Sequence, residues 1–225
     1  MICTKITHKI TASTRRLIYG YNSRVLHDKA LYRSSTEPII FTRHFCHSMT
    51  TLTDTVRYPI GPWVDKGTYS ADLVQRLVER ISILPEEYQT VADRCSDEDL
   101  RRQYRAGSWT VQQLFHHVAD THLMHFMRLK NALSTPEPTI GVIADVNAWA
   151  ALDEAQTAPI QSSVTMLRGT HQRIAYLAGH LTPDQLDITY FHPPRQRNLS
   201  LAQALDIIVW HAEHHLGHIR LAMSL

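Results

Sequence analysis

Apolar residues recur at helical spacing in four stretches of this chain, separated by polar or proline-containing segments. Val74, Leu77, Val78 and Ile81 mark one face of a first helix over residues 70–84. Pro85 interrupts that run, and as a good first-turn residue it opens a shorter one through Tyr88 and Val91. Residues 101–108 are polar and read as a loop. Thr110-Val-Gln-Gln113 is a capping box, because the threonine hydroxyl and the glutamine amide can each satisfy a backbone group at a helix start. It opens a helix to about Leu133, with Leu114, Phe115, Val118 and Leu129 on the buried stripe. Residues 136–159 form a long connection of little periodicity, of the kind that is often functional. Val164, Leu167, His171, Ile174 and Leu177 predict a third long helix over residues 161–180. Thr182-Pro183 starts a further turn, and residues 192–195 read as an extended loop. Ser200-Leu-Ala-Gln203 is a second capping box and opens a last helix to about Met223. No strand pattern of useful length is visible. The expected fold is all-α, an up-and-down four-helix bundle.

The last helix carries an unusual run of imidazoles. With about 100° per residue and His211 at zero, His215 falls near +40°, His218 near −20° and His214 near −60°. All four share a stripe close to the buried face that Leu201, Leu205 and Ile208 define. Unpartnered polar groups in a core cost free energy, so these rings need partners, and a metal ion satisfies two at once. His211 and His215 are the better-aligned pair, one turn beyond Ile208. His117, three residues after Leu114, faces inward from the second long helix and completes a three-nitrogen set with an open position. Asp120, one turn on, is placed to accept a supporting hydrogen bond. His116, His122 and His125 read as structural residues or as supports behind the ligands rather than as ligands, with His122 and His125 able to lie near the mouth. Glu213 lies about 200° from His211, so this is not a zincin-type His-Glu-x-x-His site.

Composition changes the picture at one end only. The 225 residues are 44% apolar and 20% charged, as in ordinary globular proteins. The net charge of +2 leaves no nucleic-acid footprint, and no apolar run is long enough to cross a membrane. Residues 1–48, however, hold eight Lys or Arg against two acids, whereas residues 49–225 hold fifteen against nineteen. The basic segment reads either as a mitochondrial-type transit peptide or as sequence upstream of a true start at Met49, and in both cases it stands apart from a domain over residues 49–225. Three cysteines, Cys3, Cys46 and Cys95, with no Cys-x-x-Cys, argue for a reducing compartment: the cytoplasm, or the mitochondrion if the first segment is a transit peptide.

The ordered motifs Arg57-Tyr-Pro-Ile-Gly61, Trp109 to His122, Ala148-Trp149, Phe191-His192-Pro193 and Trp210 to Ile219 resemble the DinB superfamily. The similarity is to its YfiT-like branch, which includes bacillithiol S-transferases and proteins labelled metal-dependent hydrolases. It runs from about Arg57 to the C-terminus. It implies a four-helix bundle, a homodimer, and one divalent ion per subunit, zinc or nickel, held by His117, His211 and His215. Related sequences tend to be more acidic, with a tyrosine, where this chain has residues 143–147.

Three readings follow. In the first, the metal removes the proton of a low-molecular-weight thiol, whose thiolate attacks an electrophilic small molecule. In the second, the metal activates water for hydrolysis of an amide or ester. In the third, the bundle binds metal without turnover. His122, His192 and Tyr190 are the candidates for proton transfer. Cys95 lies outside every motif.

Overall fold

A computed structural model describes residues 52–135 and 139–224. The expectation for residues 1–48 lies outside the described residues. The four expected long helices are present. They are α2 (Ala71–Ala92), α4 (Val111–Ser134), α7 (Ile160–Ala178) and α9 (Leu201–Met223). Shorter helical pieces are α1 (Leu52–Arg57), α3 (Asp97–Arg101), α5 (Val146–Ala150), α6 (Asp153–Thr157) and α8 (Pro183–Leu186). Both capping boxes form at the starts of α4 and α9, and the Ser70 hydroxyl caps α2.

The four-helix bundle is closed in an order that differs from the chain order. Both α2 and α4 pack on α7 and on α9, so α2 lies diagonally across from α4. This arrangement brings α4 and α9, the two histidine-rich helices, side by side, with α7 against the other flank of α4. Ile81, Leu114, Ile174 and Ile208 are fully buried at the centre. Each such side chain contributes roughly 1.5–3 kcal/mol by leaving water.

Three expectations are corrected. First, α2 runs unbroken through Pro85. The proline removes one intrahelical donor, so the carbonyl of Ile81, four residues earlier, is left to accept a bond from elsewhere. Second, strands do exist. A small sheet in the order β1 (Thr139–Ile140), β2 (Thr189–His192), β3 (Arg197–Ser200) pairs β1 with β2 in parallel and β2 with β3 antiparallel. Strands of two to four residues are too short to display alternation. His192 therefore ends a strand, and a 3-10 turn over Pro193–Arg195 follows it. Third, the long connection after α4 contains β1, α5 and α6, while the polar stretch before α4 is a loop from residue 102, entered from the short α3.

The segment between α1 and α2 is tied across α9. Buried Asp206 accepts from Trp63 Nε1 at 2.9 Å, Lys66 Nζ at 2.8 Å and Tyr69 Oη at 3.1 Å. Trp210 Nε1 donates to the Gly61 carbonyl at 3.0 Å. Pro59 is so close to α9 that a Cβ on Gly217 would lie 2.8 Å from its ring. Gly→Ala in a helix interior normally stabilises by up to about 1 kcal/mol, whereas overpacking against a rigid ring costs about 1–3 kcal/mol. Gly217→Ala is therefore expected to lower the urea midpoint; a raised midpoint would mean that the Pro59 segment yields freely.

Candidate metal centre

The three expected ligands meet. His117 from α4 and His211 and His215 from α9 place one ring nitrogen each within 4.8 Å of the others. His117 Nε2 and His211 Nε2 are 3.2 Å apart, and the His215 ring centroid is 4.8 Å from that of His117 and 4.6 Å from that of His211. Trp109, just before α4, packs on His117 with ring centroids 4.5 Å apart.

Hydrogen bonds behind these rings determine which nitrogens carry protons. A carbonyl can only accept, so His171 Nδ1, 2.7 Å from the Ile81 oxygen, must donate to it. Burial holds His171 neutral, pushing its pKa down to about 4, so its Nε2 is an acceptor. His122 Nδ1 donates to it at 2.8 Å. His122 is itself held neutral by burial, so its Nε2 accepts from His211 Nδ1 at 3.1 Å. His211 is left with a bare Nε2, aimed at His117. A shorter relay backs His215. His218 Nε2 donates to the Arg57 carbonyl at 3.2 Å, and its Nδ1 then accepts from His215 Nδ1 across a longer 3.4 Å. His117 Nδ1 faces the Thr121 hydroxyl at 3.4 Å.

This arrangement fits a divalent cation. The bare Nε2 of His211 faces His117 Nε2 at 3.2 Å, a contact that either a proton on His117 Nε2 or a cation shared by the two rings satisfies. Ligands at tetrahedral angles and roughly 2.0–2.1 Å from zinc stand about 3.3 Å apart. His214, His215 and His218 form a second close group. The shorter relay already uses the facing nitrogens of His215 and His218, and the His214 ring stacks on Trp210 with centroids 4.7 Å apart.

The sequence profile of the DinB superfamily matches residues 80–219. A Bacillus pumilus protein, provisionally named a metal-dependent hydrolase, is 34% identical over 164 residues, which cover 73% of this chain and 93% of that protein. Bacillus subtilis YfiT, similarly named, is 32% identical over 162 residues, covering 72% and 90%. The solved structure of YfiT matches with a TM-score of 0.72 at 30% identity, over 76% of this chain and 97% of that one. It is described as "a probable metal-dependent hydrolase with an unusual four-helix bundle topology". This chain belongs to the DinB superfamily.

In this DinB protein His122 is not at a mouth. It is fully buried and both ring nitrogens are engaged, so it orients His211 and cannot meet a substrate. His125 is also buried. The supporting partner of His117 is Thr121, one full turn on, rather than Asp120. Asp120 instead lines a narrow cleft with His117 and Trp149, and burial raises its pKa. His116 is structural, bonding Ser163 Oγ at 2.7 Å and the Ala158 carbonyl at 3.1 Å. Glu213 points away and pairs with Arg80 at 2.6 Å. Burial pushes Cys95 up to about 11.

His171 was legible only as a member of an apolar stripe. His192 and Tyr190 lie buried on β2, and neither His192 Nδ1 nor Tyr190 Oη has a partner among the described residues. A cavity of about 340 Å³ adjoins the centre through His215 and Trp109, and Arg57, Tyr58, Tyr104 and Arg105 also line it. A larger hollow of about 550 Å³ by Phe126 and Tyr176 contains none of the three imidazoles.

Neutral imidazoles make the metal-free DinB fold sensitive to acid. Burial lowers His117 and His171 to about 4 from 6.5. Below pH 6.5 the unfolded chain takes up protons that the folded one refuses until about pH 4. The stability these residues contribute is therefore intact above pH 6.5 and lost as pH falls towards 4, by about 1 kcal/mol per pH unit for each histidine. Urea midpoints of metal-free protein are expected to fall sharply between pH 7 and pH 5. A flat profile would show that the buried rings are not held neutral.

Proposed function

We propose that this chain is a metal-dependent transferase that joins a low-molecular-weight thiol to an electrophilic small molecule. The observation that carries the proposal is the convergence of His117, His211 and His215, two of them from adjacent turns of α9 and one from α4. A divalent cation held there, zinc or nickel, would lower the pKa of a thiol that reaches it, so that thiolate forms at neutral pH.

The chain's own residues do the rest. The relays through His122 and His218 keep the ligand rings neutral and correctly turned. Trp109 covers one side of His117 and limits water. Arg57 and Arg105 line the adjoining cavity, and that positive rim suits a thiol carrying acidic groups. A thiol needs only the cation to lose its proton, and both ring nitrogens of His122 are already engaged in the relay.

Hydrolysis is the second reading. The names of the relatives favour it, and so does Asp120, whose raised pKa and position in a cleft with His117 suit a base for water.

Incubating zinc- or nickel-loaded protein with cysteine, glutathione, coenzyme A or bacillithiol and a haloalkyl electrophile separates the two readings. Conjugate detected by mass spectrometry, and absent with His117→Ala, supports transfer. Ester hydrolysis without added thiol, lost in the same variant and also in Asp120→Asn, would replace it with the hydrolase. Stoichiometric metal without either activity would leave a binding module.

A further inference from the structure

Arg128, on α4, is 5% exposed. Its Nε donates to the Val142 carbonyl at 2.7 Å and its Nη2 to the same oxygen. Among the described residues no carboxylate pairs with it, nor with Arg195 on the turn after β2, whose guanidinium sits 5.0 Å over the Trp63 ring. The other ionisable groups that feel Arg128 are His125, His192, His211 and Tyr190, none of them anionic at neutral pH. Arg128, His192 and Arg195 all disfavour a proton on His125, and Arg128 and Arg195 both act on Tyr190.

Burial without partners is concentrated at the same place. Four buried side-chain polar atoms lack a hydrogen-bond partner among the described residues: His125 Nδ1, Tyr190 Oη, His192 Nδ1 and His214 Nδ1. The first three belong to this cluster. His125 precedes Arg128 by one turn of α4, β2 packs on α4, and the rings of Tyr190 and His192 are 6.3 Å apart. A folded protein rarely leaves one such atom unsatisfied, and an uncompensated buried guanidinium is costlier still. Among the described residues, what is missing is a single acceptor-only group of negative charge. A hydroxyl, two imidazoles able to donate through Nδ1 and a planar guanidinium together match the lone pairs of a carboxylate. The cluster also borders the metal centre, since the His125 ring is 6.1 Å from that of His211.

We propose that Arg128, Tyr190, His125 and His192 form a carboxylate-binding subsite beside the three-histidine centre, so that one of the molecules handled there carries a carboxylate. Its use for a substrate rests on the transferase or hydrolase reading above, but carboxylate binding itself can be measured without turnover. The subsite gives His192 and Tyr190 a role in gripping the substrate rather than in proton transfer.

The test is a titration of histidine-labelled protein by NMR, with acetate and succinate as probes and chloride and sulfate as controls, in zinc-loaded and metal-free forms. The metal-free form removes the trivial case of acetate on the cation. Expected are saturable shifts of His125 and His192 with carboxylates in both forms. The affinity falls roughly tenfold or more in Arg128→Gln, which keeps donors but not charge. Tyr190→Phe weakens binding several-fold while leaving the unfolding midpoint unchanged or higher, because it removes only an unpartnered hydroxyl. If Arg128→Gln fails to fold, Tyr190→Phe alone decides. Three results would overturn the proposal: no saturable shift, equal affinity in Tyr190→Phe, or sulfate binding as tightly as acetate. Carboxylate binding in a protein that turns over neither thiols nor esters would keep the subsite and discard the activity.

Discussion

Replacing His211 with alanine is expected to abolish stoichiometric binding of zinc or nickel and to cut turnover by more than about 100-fold, the upper end of what losing a mere orienting partner costs. His211 stands at a junction. Its Nε2 faces His117 at 3.2 Å, and its Nδ1 donates to His122 at 3.1 Å. Alanine removes a third of the donor set and leaves His122 Nε2 buried without a donor. The second effect alone costs about 1–3 kcal/mol of stability, so the fold must be checked by circular dichroism and urea unfolding beside metal analysis. His117→Ala is the companion variant, since its Nδ1 has only the long 3.4 Å contact with Thr121 and its removal disturbs the core less. Both should lose the metal, and only His211→Ala should lose much stability. Full metal occupancy in either variant would remove the three-histidine centre as the basis of the function.

The second large effect is expected at His122, which touches no substrate. His122→Leu fills the space but cuts the relay, leaving His211 Nδ1 and His171 Nε2 without partners and His211 free to change tautomer. Metal affinity should fall about 10–100-fold. His122→Gln is the discriminating control. Its amide oxygen can accept from His211 while its amide N–H donates to His171, so affinity should return to within a few-fold of the parent. Nitrogen-15 shifts of the histidine rings in metal-free protein give a readout that stability alone would not move. His211 should be protonated at Nδ1 in the parent and in His122→Gln, and mixed in His122→Leu. Equal affinity in all three proteins would mean that the relay is incidental.

The parts of the fold that were legible in the sequence are those that repeat over many residues. Long apolar stripes and paired capping residues such as Thr110 with Gln113 placed the four helices, and the one-turn spacing of His211 and His215 placed two of the candidate ligands. Strands of two to four residues carry too few positions to show a period. The order in which helices touch is not a local property, and that order decides what His122 meets. Its helical position, about 140° from His117, reads from the α4 surface alone as a place near the mouth. But α4 is flanked by α7 as well as α9, so a residue between the two flanks can bridge His171 and His211. Arg128 gave no signal because an arginine on a helix is ordinarily solvated. Only the burial around it, and the want of an acid among the described residues, set it apart.

Pro85 couples two demands that pull in opposite directions. A screen for hardier variants would choose alanine here, because proline inside a helix is unfavourable by about 3 kcal/mol. Alanine at 85 would supply an N–H that competes with His171 for the Ile81 oxygen, and the ring at the root of the longer relay would lose its fixed orientation. A sturdier α2 would thus come with a less disciplined candidate metal site at the far end of three imidazoles. Thermal selection and selection for activity should therefore diverge at this residue.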